Sequence, residues 1–260
     1  MKVVILCGGK GTRLREETEY RPKPMVPIGN RPILWHIMKT YAAQGHRDFI
    51  LCLGYKGEVI KDFFRNYLWM TNDVTLRLGP TPALQFHSHH DEEDWSVTLA
   101  DTGEDTLTAG RIKRIQKYVG PDETFFLTYG DGVGDVNVNA GLAFHEQHGR
   151  LATVTAVRPP GRFGELELTP HRQVTAFNEK PQVGEGRING GYFVLSGKIF
   201  SYLENSDQIM FEAAPLRQLA AEGQLMAYLH DGFWQPMDTF QEYTLLNRIW
   251  SEGRAPWKTW

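Results

Sequence analysis

Two cysteines in 260 residues leave room for at most one bridge, which excludes a disulfide scaffold and makes a reducing cytoplasm the default compartment. Long apolar runs are missing too. The opening Met1-Lys2-Val3-Val4-Ile5-Leu6-Cys7 offers five apolar residues before Gly8-Gly9, too few for a signal-peptide core. No later stretch approaches the roughly 20 residues that a membrane helix needs. Neither sign of charge is in large excess: 28 Lys plus Arg stand against 31 Asp plus Glu, a net of −3. That balance argues against a nucleic acid or an anionic membrane as partner. What is present is 41% hydrophobic and 12% aromatic residues, enough for an ordered core, in a length that fits one domain or two closely joined ones.

The charge is unevenly placed. Residues 1–25 hold six cations against three glutamates, a net of +3, which leaves −6 for the rest. A basic, glycine-rich opening on an acidic protein marks either a local anion site or a solvated loop.

Strand and helix signals alternate along the chain. Val3–Cys7 is a short apolar run ended by glycines, the pattern of a buried strand, and Phe49–Leu53 repeats it. Pro32–Tyr41 carries Ile33, Leu34, Ile37, Met38 and Tyr41 at helical spacing, and Val59–Tyr67 has the same periodicity. Two strand–helix units predict parallel strands joined by crossovers. Thr124–Thr128 and Ala152–Val157 read as further strands, with a helix over Asn139–His148 between them and a last helix at Thr239–Glu252. Between residues 160 and 195 the pattern changes to short β segments, Glu165–Leu168, Val174–Asn178 and Asn189–Leu195, separated by Pro and Gly. The expected fold class is α/β: a mostly parallel sheet flanked by helices, with a β-rich portion over one end. Ligands in such folds sit beyond the carboxyl ends of the strands, where Gly8–Arg13 and Gly130–Gly132 fall.

Gly8-Gly9-Lys10-Gly11-Thr12-Arg13-Leu14, with Arg21-Pro22-Lys23-Pro24 behind it, is the most informative segment. Glycines after a strand let backbone N–H groups approach phosphate oxygens. A dinucleotide fingerprint would need glycine where Leu14 stands, which disfavours a nicotinamide oxidoreductase, and a P-loop would need Ser or Thr where Gly11 stands. Arg13 offers a planar donor set and Lys23 a point charge, held between two prolines. The segment Gly8–Leu14 with Pro22-Lys23-Pro24 resembles the signature of the sugar-phosphate nucleotidyltransferases. Glu16-Glu17-Thr18, where most of that superfamily has a proline, is similar to its cytidylyltransferase branch. So are Pro32–Met38, Asp101-Thr102-Gly103, Phe233–Thr239 and Ala255–Trp260.

That resemblance, which spans essentially the whole chain, implies one Rossmann-like nucleotidyltransferase domain over residues 1–260. Residues 1–157 would mainly bind nucleotide and 158–240 mainly sugar phosphate, with 241–260 a terminal helix and tail. It implies transfer of a cytidylyl group from CTP to glucose 1-phosphate, with another sugar-1-phosphate nucleotidyltransferase using UTP or dTTP as the alternative, and a homo-oligomer, hexameric in the family. The nucleotide site would comprise Leu6, Gly8, Gly9, Gly11, Thr12, Arg13, Lys23, Thr106, Arg111 and Gly130, with Arg111 donating to the base and the Gly8–Gly9 carbonyls accepting from it. A non-catalytic nucleotide sensor of the same fold would have lost Arg13, Lys23 or an aspartate; all are present.

A triphosphate approached by a sugar phosphate needs a screening cation, and Mg²⁺ held by one or two carboxylates and phosphate oxygens is the usual solution. Asp131, in Tyr129-Gly130-Asp131-Gly132, and Asp238 match the family's magnesium ligands. With Arg13 and Lys23 they form the expected catalytic set. Gly164, Glu165, Glu179, Lys180, Asn189 and Gly190 match its sugar-phosphate site. His87–Asp94 has ligand-type residues without ordered spacing and reads as a solvated loop or strand end. Cys7 and Cys52 read as inert buried thiols. Trp250, Trp257 and Trp260 would pack on the body or form a subunit contact.

Overall fold

The computed structural model describes residues 1–87, 94–159, 165–168, 173–178 and 186–260. Strand β1 (Lys2–Leu6) is followed by α1 (Arg15–Thr18), the small antiparallel pair β2 (Pro27–Ile28) and β3 (Arg31–Pro32), and α2 (Ile33–Ala43). β4 (Asp48–Leu53), α3 (Gly57–Arg65) and α4 (Tyr67–Thr71) repeat the strand–helix unit. The antiparallel β5 (Asp73–Arg77) and β6 (Ala83–His87) precede β7 (Ser96–Asp101). Next come α5 (Thr108–Arg114), β8 (Thr124–Tyr129), β9 (Gly132–Gly134), α6 (Val138–His148) and β10 (Ala152–Val157). The antiparallel pair β11 (Glu165–Leu168) and β12 (Val174–Asn178) comes before β13 (Ile188–Ser196) and α7 (Ala214–Ala221). β14 (Leu225–His230), β15 (Trp234–Pro236) and α8 (Phe240–Ser251) complete the order.

Seven strands form the central sheet in the order β14-β10-β13-β8-β1-β4-β7. β1 lies parallel to both β4 and β8, with Ile5 opposite Leu51 on one side and Thr128 on the other. β13 alone runs antiparallel to its neighbours β8 and β10. This corrects the assignment of Asn189–Leu195 to the β-rich portion: Tyr192–Leu195 is a buried run that a central strand requires, and it fills the gap between β10 and β8. The β-rich remainder that is described is the separate pair β11–β12.

Alternate strand residues enter two cores, as expected of a sheet covered on both faces. Val3, Ile5, Phe49, Leu51 and Phe126 pack under α2 and α3, where Ile33, Ile37, Tyr41 and Ile60 face them. Val4, Leu6, Ile50, Phe125 and Leu127 pack on the other side with Ala109 and Ile112 of α5 and Leu219 of α7.

The C-terminal tryptophans belong to the first core. Trp257 is 0% exposed, and its indole N–H donates to His36 Nδ1 at 3.4 Å, while His36 Nε2 faces Ile28 O at 3.0 Å. Trp250 packs edge-on against His36 with ring centroids 4.6 Å apart, and Trp260 against Trp35 at 5.8 Å. Burial lowers the His36 pKa to about 4, so the ring is neutral at neutral pH. No helix among the described residues is long and apolar enough to cross a membrane.

Candidate active site

Two cavities open at the carboxyl ends of the central strands and meet at Tyr129 and Asp131. The first, of about 470 Å³, is walled by Leu6, Gly8, Gly9, Lys10, Gly11 and Lys23 on one side. Thr106, Arg111, Tyr129, Gly130 and Asp131 wall the other side. The second, of about 480 Å³, is lined by Tyr129, Asp131, Pro159, Ile188, Asn189, Trp234, Pro236 and Asp238.

Local structure explains how these side chains arrive. The β8 chain passes β1 closely enough that Gly130 N donates to Leu6 O at 3.1 Å; a Cβ on Gly130 would stand 2.8 Å from that carbonyl and 2.9 Å from Pro24 Cγ. β9 then pairs antiparallel with β15, and Met237 N donates to Asp131 O at 2.8 Å, which places Asp131 and Asp238 side by side. Asp238 is fixed from behind by the capping box of α8. Thr239 Oγ1 accepts from Glu242 N, and Glu242 Oε2 accepts from the backbone N–H groups of Thr239 (2.9 Å) and Asp238 (2.7 Å).

Lys23 opens a single 3-10 turn after Pro22 and sends its ammonium between the two aspartates. Nζ donates to Asp131 Oδ2 at 2.8 Å and to Asp238 Oδ1. Burial alone would lower the Lys23 pKa, but the Asp131 charge and the hydrogen bonds to both carboxylates outweigh it, and the net shift is upward. Arg13, with its side chain 75% exposed, reaches the same cluster through Nη1 to Asp238 Oδ2 at 3.2 Å. The four residues of the expected catalytic set therefore meet at one point. Thr12 is exposed on the same loop and is not among the residues that wall the first cavity.

Arg111 is 4% exposed and differs from the open donor expected of it. Its Nη1 donates to Leu53 O (3.0 Å), Thr102 Oγ1 (2.9 Å) and Gly103 O (2.7 Å). Its Nη2 donates to Gly8 O (3.1 Å) and Glu104 O (3.0 Å). The Gly8 carbonyl, expected to accept from a base, accepts instead from Arg111 and from Tyr55 N at 3.4 Å. Arg111 is a clamp that joins the Gly8 loop to the Thr102–Glu104 loop, and a Cβ on Gly8 would overlap its guanidinium. Thr106 is likewise engaged, donating to Asp207 Oδ1 at 2.9 Å and accepting from Arg114 Nη1 at 2.8 Å. Across the cavity mouth Lys10 Nζ pairs with Asp105 Oδ1 at 2.8 Å.

On the second cavity Asn189 is exposed at the wall, and Gly190 is buried behind it with its carbonyl accepting from Trp234 Nε1 at 2.8 Å. Gly164, Glu179 and Lys180 lie outside the described residues, as does the side chain of Glu165, whose backbone begins β11. Most of the His87–Asp94 segment also lies outside them; His87 ends β6. Burial raises the thiol pKa of Cys7 and Cys52, the latter to about 12, in keeping with inert side chains.

Reasoning from the sequence missed Tyr129 and Glu212. The Tyr129 hydroxyl, in the wall of both cavities, donates to Glu212 and accepts from Asn189 Nδ2 at 3.2 Å. The position of Tyr129 beside Gly130-Asp131 was the available signal; Glu212 carries none.

The donors present bear on which divalent cation the site could hold. Among the described residues no group of three or more His, Cys, Asp or Glu could hold a metal. Two half-buried carboxylates already share one cation, the Lys23 ammonium. That donor set suits a hard, oxygen-preferring ion that completes its shell with phosphate and water, and does not suit zinc.

The family model described as nucleotidyl transferase matches residues 2–249. The chain is 51% identical over 260 residues, all of both chains, to glucose-1-phosphate cytidylyltransferase of Salmonella typhimurium. It is 31% identical over 251 residues to mannose-1-phosphate guanyltransferase of Aspergillus oryzae, covering 92% of this chain and 62% of that one. A crystal structure of UDP-glucose pyrophosphorylase complexed with UDP-glucose superposes with a TM-score of 0.67 at 16% identity, over 97% of this chain and 99% of the other, a likeness of fold alone. With its glycine loop, lysine and paired aspartates converging at the ends of a mostly parallel sheet, the chain belongs to the nucleotidyl transferase family.

Proposed function

We propose that the chain transfers the cytidylyl group of CTP to α-D-glucose 1-phosphate, giving CDP-glucose and pyrophosphate. The observation that carries the reading is the meeting of two cavities at Asp131, with Lys23 and Asp238 on either side. One cavity takes the nucleotide and the other the sugar phosphate, so that the reacting phosphates lie over the charged cluster. The full-length similarity to a relative named for cytidylyl transfer supports the choice of base.

A phosphate oxygen of glucose 1-phosphate attacks the α-phosphorus in line; a P–O bond forms there as the bond to the β-phosphate oxygen breaks, and pyrophosphate leaves. The attacking monoester is already anionic at neutral pH, so no protein nucleophile is needed, and catalysis is positioning and charge stabilisation. Lys23 and the Gly8–Thr12 backbone hold the triphosphate. Arg13, on an exposed loop, swings to the leaving pyrophosphate. Asn189 contacts the sugar phosphate, with Lys180, Glu179, Glu165, Gly164 and Gly190 completing that side. Asp131 and Asp238 would hold Mg²⁺, which supplies charge neutralisation at the phosphates when bound.

The division of labour between residues 1–157 and 158–240 is part of the proposal. So are a cytoplasmic setting, which two buried free thiols suit, and a homo-oligomer. Trp257 is buried, and apolar surface available for assembly includes α4 and the β5–β6 hairpin with its loop, where Trp69, Met70, Leu76 and Leu78 are exposed, beside the half-buried Trp250 and Trp260. Mass spectrometry of a reaction with CTP and glucose 1-phosphate tests the function: the expected product is CDP-glucose with one pyrophosphate per turnover, and its absence refutes the proposal.

A further inference from the structure

A hydrogen-bond chain of fixed polarity links the two cavities. Thr108 Oγ1, in the wall of the first, donates to Glu212 Oε2 at 2.7 Å, and its oxygen accepts from Phe211 N at 2.7 Å. The Tyr129 hydroxyl donates to the other Glu212 oxygen. Asn189 Nδ2 donates to the Tyr129 hydroxyl at 3.2 Å, and Asn189 Oδ1 accepts from Gly191 N at 2.8 Å. Each member's role follows from its chemistry. A carboxylate only accepts, so both hydroxyls that face Glu212 must donate to it. The Tyr129 proton is thereby committed, and the hydroxyl meets Asn189 as an acceptor. The Asn189 amide is oriented from both ends, its oxygen accepting from Gly191 N and its nitrogen donating to the Tyr129 hydroxyl. Its second amide hydrogen has no acceptor among the described residues, and Asn189 lines the second cavity.

We infer that Glu212 is a positioning residue for the sugar phosphate: by fixing the polarity of Tyr129 it makes Asn189 meet an oxygen of that substrate as a hydrogen-bond donor. This rests on the reading of the second cavity as the sugar-phosphate site. Glu212 touches no substrate and acts only through Tyr129 and Asn189.

Steady-state kinetics of the full chain at saturating CTP test the inference with Tyr129→Phe, Glu212→Ala, Glu212→Gln and Asn189→Ala. Tyr129→Phe and Glu212→Ala should each raise KM for glucose 1-phosphate about 3- to 10-fold, the worth of one neutral hydrogen bond, with kcat and KM for CTP within about twofold. Glu212→Gln, which keeps an acceptor oxygen, should recover most of the loss. In the Asn189→Ala background, Tyr129→Phe and Glu212→Ala should add no further effect, because the group they position is gone. Should Glu212→Ala fail to fold, the Tyr129→Phe and Asn189→Ala cycle decides alone, since phenylalanine keeps the ring packing. An unchanged KM for the sugar phosphate, or additive effects in the double variants, would overturn the inference while leaving the function intact. A wild-type protein inactive on glucose 1-phosphate would overturn both.

Discussion

Lys23 Nζ stands 2.8 Å from Asp131 Oδ2 and also bonds Asp238, so a single ammonium bridges the two carboxylates that would hold the metal. A divalent ion bound there competes with that ammonium. Lys23→Met should therefore raise the affinity for Mn²⁺ in the absence of nucleotide, by about 10-fold on the scale of one partly buried charge interaction, while lowering kcat/KM for CTP. Titration calorimetry with Mn²⁺ alone reads this; an affinity equal to or weaker than wild type would remove Lys23 from the cation position.

Turnover should need a divalent ion, and Asp131→Ala and Asp238→Ala should each abolish it. Full activity in excess EDTA, or in either variant, would contradict the assignment of those carboxylates.

Among the described residues Arg13 pairs with Asp238 alone, in a loop open to solvent, so it can reach developing charge on the leaving group. Arg13→Ala should lower kcat by at least about 100-fold, the loss seen when one preorganised charge-stabilising donor is removed. Its melting temperature should stay within a few degrees of wild type, because an exposed ion pair contributes little. A near-normal kcat would disprove the role.

Arg111 makes the opposite prediction. Its removal leaves the carbonyls of Gly8, Gly103 and Glu104 without the donor that now holds them. Arg111→Ala should destabilise the protein by at least about 2 kcal/mol, measured by urea unfolding without ligand. An unaltered midpoint would mean that the clamp has no structural weight.

His36 ties stability to acid. Its folded pKa of about 4 lies below the ordinary imidazole value of 6.5, so the unfolded chain binds the proton more readily. The stability it confers is complete above about pH 6.5 and is lost as pH falls towards 4, about 2 kcal/mol of it between pH 7 and pH 5. His36→Gln should flatten that dependence in denaturant titrations at the two pH values, and an unchanged slope would assign it elsewhere.

How far the sequence could be read follows from the kind of signal each feature leaves. Val3–Cys7, Phe49–Leu53 and Thr124–Thr128 are apolar runs closed by glycine or polar turns, and all became central parallel strands within a residue or two of their expected ends. Asn189–Leu195 is a strand as expected, but it belongs to the central sheet and not to the β-rich portion, because its buried run is short and starts only at Tyr192. The β5–β6 pair was not anticipated, since its apolar residues Leu76 and Leu84 are exposed and no buried face marks it. In the site, Arg13 and Lys23 were legible from a glycine-rich loop after a strand and a lysine held between two prolines, whereas Asp131 and Asp238 were legible only through the family resemblance, since an aspartate in a turn is by itself an ordinary turn-former. Arg111 was legible as a position but not as a clamp, since its acceptors are backbone carbonyls that sequence does not mark.

Cytidylyl transfer is read out directly by pyrophosphate release with glucose 1-phosphate and each of CTP, UTP, dTTP and GTP under identical conditions. CTP should show the highest kcat/KM. UTP should be weaker by roughly 5- to 150-fold, the cost of about 1–3 kcal/mol when an acceptor replaces a base donor, and GTP should be excluded by size. A kcat/KM for UTP or dTTP equal to or above that for CTP would contradict it.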